Sequence, residues 1–147
     1  MIDFFVLGSG LSGSTIANLL SKKYSVEIID KAKGVGGRSS NKKVSGSISF
    51  DHGLQYYSSK NTKFKIFLNK FIKSKVLKYW DGNHIDFTFK NRFKSQKIIG
   101  VKGNNDLNKH LLKNIKKNLS QEIIKIEFKK LIGKYQEKNM YIKQKIW

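Results

Sequence analysis

Cysteine is absent from this chain. That excludes disulfides, thiolate metal sites and a cysteine nucleophile, and leaves no mark of an oxidising compartment. Proline is absent as well, for which codon bias is the only account we have. Long apolar runs are also missing. Ile2–Leu7 follows Met1 with no basic region before it and no A-x-A site after it, too short for a signal or membrane segment. The expectation is a soluble cytoplasmic protein with no membrane partner. Acidic residues are scarce: 10 Asp and Glu stand against 30 Lys and Arg, for a formal charge of +20. Such a balance invites a nucleic-acid reading. Arginine is nearly absent, however, with Arg38 and Arg92 the sole examples, and the lysines are spread along the whole chain. Lys, Ile and Asn share AT-rich codons, and the planar fork that grips phosphates and reads bases is the arginine one. Biased composition is therefore preferred to a nucleic-acid partner.

What is present is organised. With 147 residues the chain is long enough for a domain with a real core. Ile2–Leu7 reads as a buried strand of a parallel sheet, followed by a Gly/Ser turn over 8–13. Ile16, Ala17, Leu19 and Leu20 continue as a helix from Ser14 to about Lys23, its two lysines suiting a C-terminus. Val26–Ile29 is a second buried strand, closed by Asp30. Strand, turn, helix and strand within thirty residues make one βαβ unit.

Beyond it, Lys31–Ser47 reads as a polar loop and Ile48–Asp51 as an apolar stretch. Phe64, Phe67, Leu68, Phe71 and Ile72 predict an amphipathic helix. Ile85, Phe87 and Phe89 alternate as a strand after the Asp81-Gly82 turn. Asn104 to Asp106 caps a helix with Leu107, Leu111, Ile115 and Leu119 on one face. Glu122 to Trp147 reads as two or three short strands around Gly133. Few of these are convincing parallel strands, and the chain stops inside a strand-like pattern, so a piece of a longer protein is expected.

The turn reads GSGLSG, with Gly8, Gly10 and Gly13 in the G-x-G-x-x-G spacing. The first glycine allows the sharp turn, the second lets a pyrophosphate approach the backbone, and the third lets helix and sheet pack closely. Free N–H groups at the helix start then hold phosphate. Asp30 stands where a carboxylate accepts from ribose hydroxyls. The spacing alone is permissive, but strand, helix and acid around it point to a dinucleotide. After Asp30 the chain runs DKAKGVGGRSS. A second glycine pair, Gly36 and Gly37, and the rare Arg38 suit a cofactor longer than NAD, namely FAD.

These motifs resemble the paired N-terminal motifs of the flavin amine oxidase superfamily. Two later blocks, FDHGLQYYS at 50–58 and IGVKGNNDLNKHL at 99–111, are similar to segments of its renalase-like branch. The resemblance implies an α/β fold: an FAD-binding Rossmann-type βαβ unit with the GG-R loop over 1–58. The start of a mixed, mainly β substrate region would follow over 59–147. It implies pyrophosphate contacts from Gly8, Gly10, Leu11, Ser12 and Gly13, and ribose contacts from Asp30 beside Lys31. Gly37, Arg38 and Ser39 would meet the cofactor chain, and Gly53, Leu54 and Gln55 would lie near the isoalloxazine. Lys102 and Asn104 depart from the family pattern, which usually has Pro and a small or apolar residue there.

The implied activity of the full-length protein is two-electron oxidation of a small reduced substrate, such as a dihydronicotinamide isomer, with dioxygen as acceptor. This span alone would be inactive. Another amine oxidase or desaturase branch, a non-catalytic remnant and a basic nucleic-acid module are the alternatives. No catalytic residue is assigned: His52, beside Asp51, is read as positional, because hydride transfer to a flavin needs no protein base. His84 and His110 lack nearby carboxylates, so no metal site is expected. Tyr56 and Tyr57 are read as core, and Ser9 and Ser12 as turn residues.

Overall fold

A computed structural model of the chain describes residues 1–46, 48–82, 84–85, 92–93, 97–130 and 138–146. Three parallel strands form the central sheet, in the order β1 (Phe4–Leu7), β2 (Val26–Ile29) and a strand near the end, Lys116–Asn118. Phe4 pairs with Val26 and Leu7 with Ile29, while Glu27 pairs with Lys116 and Ile29 with Asn118. Helix α1 (Leu11–Leu20) makes the crossover between β1 and β2. The βαβ unit is therefore present, and β2 lies buried along its whole length at the centre.

β1 differs from the expectation of a buried strand. Phe4, Phe5 and Leu7 remain 39%, 37% and 45% exposed. A parallel strand is buried only when both edges and both faces are covered. Among the described residues β1 has β2 on one edge, and α1 packs against it. The helix also sits earlier than its apolar pattern indicated. It begins at Leu11, directly from the glycine turn, and Lys22 and Lys23 fall in the turn after its end.

The segment expected to be a loop holds more structure. A 3-10 turn covers Gly37–Ser39, and β3 (Asn41–Ser45) pairs antiparallel with β4 (Ile48–Asp51). Both faces of β3 are largely exposed, so its NKKVS sequence carries no apolar alternation to betray it. Helix α2 (Thr62–Lys73) forms as its periodicity predicts, with Asn61 Oδ1 accepting the Phe64 N–H at 3.1 Å as an N-cap. Short strands β5 (Leu77–Tyr79), β6 (His84–Ile85), β7 (Arg92–Phe93) and β8 (Ile98–Gly100) follow, with β5 paired to β8 and β6 to β7. Of the alternating strand read at 85–89, Phe87 and Phe89 lie outside the described residues.

The long helix expected through Leu119 is the largest correction. Helix α3 is Asp106–Leu111, Ile115 lies in the turn that follows, and β9 (Lys116–Asn118) supplies the third parallel strand. Leu111, Ile115 and Leu119 satisfy a four-residue spacing, yet they reach the core from a helix, a turn and a strand end. The KKN of β9 looks nothing like a buried parallel strand, and it does not need to, because among the described residues it is the sheet's edge. The Lys117 ammonium donates to the Leu112 and Ile115 carbonyls at 2.9 Å each, satisfying chain ends just past α3. The last strands, β10 (Gln121–Lys130) and β11 (Lys138–Ile146), form one antiparallel pair, and Gly133 lies outside the described residues.

The core is divided between two clusters. Ala17, Val26, Ile28, Val35, Leu112 and Ile115 fill the space between α1 and the sheet. Tyr57, Leu68, Leu77, Ile98, Leu107 and Leu111 join α2 to β5 and β8. The chain from Leu107 to Ile115 feeds both, and a fully buried leucine such as Leu107 or Leu112 contributes about 1.5–3 kcal/mol. α3 packs against α1, where the Asn18 side-chain amide donates to the Leu111 carbonyl at 2.8 Å. From α3, the Asn108 amide reaches the Ser9 carbonyl and so brings a distant part of the chain to the glycine turn. Among the described residues no helix is long and apolar enough to cross a membrane.

Candidate functional site

The glycine turn leaves β1 at Gly8, whose φ of +93° is a left-handed conformation that disfavours any other residue. Gly13 lies against this turn from inside α1. A Cβ there would come within 1.9 Å of the Gly8 carbonyl oxygen, so only glycine permits the approach. Gly10 behaves in the opposite way. A Cβ there would meet nothing within 4 Å, which leaves open space in front of the backbone. Gly10 is also the N-cap of α1 and offers no side-chain cap. The first-turn N–H groups are thus left for another partner, at the end of the helix that carries about half a positive charge.

Asp30 does not project into the space before Gly10. Its Oδ2 accepts the Ser9 backbone N–H at 2.6 Å and the Ser9 hydroxyl at 2.5 Å, and its Oδ1 accepts the Ala32 N–H at 2.9 Å. Burial pushes the carboxyl upward, but the Ser9 hydroxyl and the Ala32 and Ser9 amides outweigh it and hold the pKa below its ordinary value. The acid therefore stays ionised and clamps the turn to the end of β2.

The second glycine pair lies directly on the first. Gly36 donates its N–H to the Ser9 carbonyl at 3.1 Å, and a Cβ on Gly37 would sit 3.1 Å from the Gly10 Cα. The 50–58 block comes next. Leu54 donates its N–H to the Arg38 carbonyl at 2.6 Å, and Gly53 packs so closely that a Cβ would come within 2.2 Å of that oxygen. Turn, GG-R loop and 50–58 block thus lie side by side along one cleft of about 810 Å³. Gly8, Gly10, Leu11, Ser12, Gly13, Arg38, Ser39, Gly53 and Leu54 line it, with Tyr56, Tyr57, Ser58 and Phe64. Gly37 touches Gly10 without lining the cleft. Asp30 and Lys31 lie outside its lining, and Gln55 lines a separate cavity of about 270 Å³ with Asp51 and Trp80.

Three asparagines that the sequence did not single out as organisers hold the cleft together. Asn108 is fully buried: its amide donates to the Ser9 carbonyl at 3.1 Å and the Ser14 hydroxyl at 3.0 Å, and its Oδ1 accepts the Ser39 hydroxyl at 2.8 Å. It thereby joins glycine turn, α1 and GG-R loop from α3. Asn104, a departure from the family pattern, is fully buried as well. Its amide donates to the Leu54 and Gln55 carbonyls, its Oδ1 accepts the Gly100 N–H, and its backbone N–H reaches Asp51 Oδ1 at 2.9 Å. The buried Tyr57 hydroxyl donates to the Asn104 carbonyl at 2.5 Å, and burial raises its pKa. Asn105, between them, is buried too, and its Oδ1 has no protein partner. An asparagine near a helix start reads as a cap in sequence, so nothing flagged these as buried connectors.

The strand, the glycine turn opening a helix, and the parallel sheet around them fit a dinucleotide site. Residues 6–71 match the NAD(P)-binding Rossmann-like domain family. The matched span carries the glycine turn, Asp30, the GG-R loop, the 50–58 block and most of α2. The match is to a dinucleotide-binding region, and the fold is α/β with a parallel sheet. Comparison with curated proteins finds no match.

Proposed function

We propose that the cleft binds FAD and that the chain is the dinucleotide-binding portion of a flavin-dependent oxidoreductase of the renalase-like branch. The observation that carries this reading is the second glycine pair packed on the first, with Arg38 on the cleft between that pair and Leu54. A pyrophosphate turn alone needs neither, and the cleft continues past Arg38 to Tyr56 and Phe64. Its volume of about 810 Å³ lies toward the upper end of ligand clefts, which run to about 1,000 Å³. The open space in front of Gly10 fits a pyrophosphate, and no acidic side chain is among the described lining residues to oppose one.

In this reading the α1 N-terminus donates N–H groups to the pyrophosphate, and Arg38 adds the one full positive charge among the described lining residues. Asp30 keeps the turn in shape from outside the cleft lining, with one lone pair left on Oδ1 for a ribose hydroxyl. Gly53, Leu54 and Tyr56 wall the far end. Bound there, the flavin supplies a two-electron acceptor that dioxygen can reoxidise. The narrower, renalase-like assignment is supported by the two later motifs, 50–58 and 99–111, being tied together through Asn104 and Tyr57. The substrate would be a small reduced molecule such as a dihydronicotinamide isomer.

The test is to purify the protein and titrate it with FAD, NAD and NADP. Copurified or tightly bound non-covalent FAD, released by mild denaturation, is the expected result. A colourless protein that binds NAD or NADP tightly and FAD weakly would overturn the cofactor assignment.

A further inference from the structure

A second cavity adjoins the cleft on the side away from the glycine turn. It measures about 510 Å³, and Tyr56 and Ser58 line both spaces, so the two share a wall. Lys60, Lys65 and Lys97 line it together with Tyr79 and Asn69, and no acidic side chain is among its described lining residues. In a chain this rich in lysine, three lysines around a hollow carry little weight by themselves. The setting of Lys97 carries more. Its ammonium lies 4.4 Å from the centroid of the Tyr56 ring and 5.5 Å from that of Trp80. Those two rings stand 6.2 Å apart, tilted by 49°. The ammonium thus lies against an aromatic wall, where cation–π attraction helps to place it. The other hollows differ. The cavity holding Gln55 includes Asp51, and the one beside Lys70 and Lys73 along α2 shares no wall with the cleft.

We infer that this basic pocket is a subsite for a small aromatic anion, a planar ring carrying a carboxylate or phosphate. Tyr56 and Tyr79 offer faces for the ring, and the lysines offer charge-assisted hydrogen bonds to the anionic group. Because the pocket meets the cleft at Tyr56, a ring lodged there lies beside whatever occupies the cleft's far end. The subsite is a substrate site only if the FAD reading holds; its preference for anions stands independently of it.

The experiment is calorimetric titration of residues 1–147, first with FAD and then, with and without FAD, with phenyl phosphate, benzoate and neutral benzamide. Saturable binding of at least one anion, about tenfold tighter than benzamide, is expected, since charge-assisted contacts are about twice as strong as neutral ones. The better of the two anions identifies the group. Lys65→Gln and Lys97→Gln should each weaken anion binding about threefold to tenfold, and added salt should weaken it further. Lys22→Gln, in the turn after α1, removes the same unit of net charge elsewhere and should leave binding unchanged. Equal binding of benzamide, an equal loss in Lys22→Gln, or no saturable anion binding would each overturn the subsite. FAD binding without anion binding removes the subsite and leaves the cofactor reading. Anion binding without FAD binding does the reverse.

Discussion

Gly10 and Gly13 belong to one motif, yet they should respond differently to the same substitution. A Cβ at Gly10 meets no protein atom within 4 Å, and its φ of −66° suits any residue. Gly10→Val should therefore change stability by no more than about 1 kcal/mol, the scale of N-cap effects, while abolishing dinucleotide binding. Gly13→Ala drives a methyl into the Gly8 carbonyl and should lower both the denaturation midpoint and the affinity. Measuring unfolding and FAD titration for both variants checks the distinction; equal loss of stability would refute it. Asn108→Ala tests the buried connector. It removes three buried hydrogen bonds, at about 0.5–1.5 kcal/mol each, while the Ser9 carbonyl keeps the Gly36 N–H and the Ser14 hydroxyl, and the Ser39 hydroxyl keeps the Gly36 carbonyl. Urea unfolding should show that loss, and dinucleotide affinity should fall although Asn108 does not line the cleft.

Among the elements, β2 carries the acid sensitivity. Glu27 is a buried charge in its centre, and hydrogen bonds from the Lys116 ammonium at 2.8 Å and the Asn118 amide at 2.7 Å hold its pKa below the ordinary 4.5. Asp30, at the end of the same strand, is lowered from 3.8. A lowered carboxyl pKa adds stability that is complete above the unfolded value and is lost as pH falls through the folded one. Stability should thus be flat down to about pH 4.5 from these groups, then drop as acid protonates Glu27 and Asp30. Chemical denaturation across that range checks it, and Glu27→Gln should remove part of the acid limb. The loss is modest, because Lys116 is largely exposed and such pairs contribute about 0–1 kcal/mol. At the other helix, Asn61→Ala should cost about 1 kcal/mol, the usual worth of an N-cap bond to Phe64.

For the molecule as a whole, opposing surface terms meet. Phe4, Phe5 and Leu7 on β1 and Ile16 and Leu19 on α1 are exposed large apolar residues, and β1 has a single described strand neighbour. Such an edge favours association, while a formal charge of +20 opposes it by repulsion. At low salt, residues 1–147 should remain dispersed. Near physiological ionic strength the Debye length falls to about 8 Å and association should set in. Light scattering against salt measures this, and Phe5→Lys or Leu19→Lys should move the onset to higher salt. Scattering that is independent of salt and of both substitutions would remove the apolar surface as the cause.

The local, consecutive features were legible in the residues themselves. GSGLSG, the apolar VEII of β2 and the phenylalanine spacing of α2 state their own turn, strand and helix, because each depends on neighbours within a few positions. β3 and β9 were not legible, since polar edge strands of lysine and asparagine carry no alternation, and a partner strand alone makes them strands. The end of α3 was misread because Leu111, Ile115 and Leu119 keep a helical spacing that the fold uses from three different local structures. The cleft divides the same way. Its glycines and Arg38 announce close backbone approach, but only tertiary structure turns Asp30 onto Ser9 and Gln55 into another cavity. Only tertiary structure buries Asn104 and Asn108 as well, because hydrogen bonds spanning 99 residues, as from Asn108 to Ser9, exist only once the chain has closed on itself.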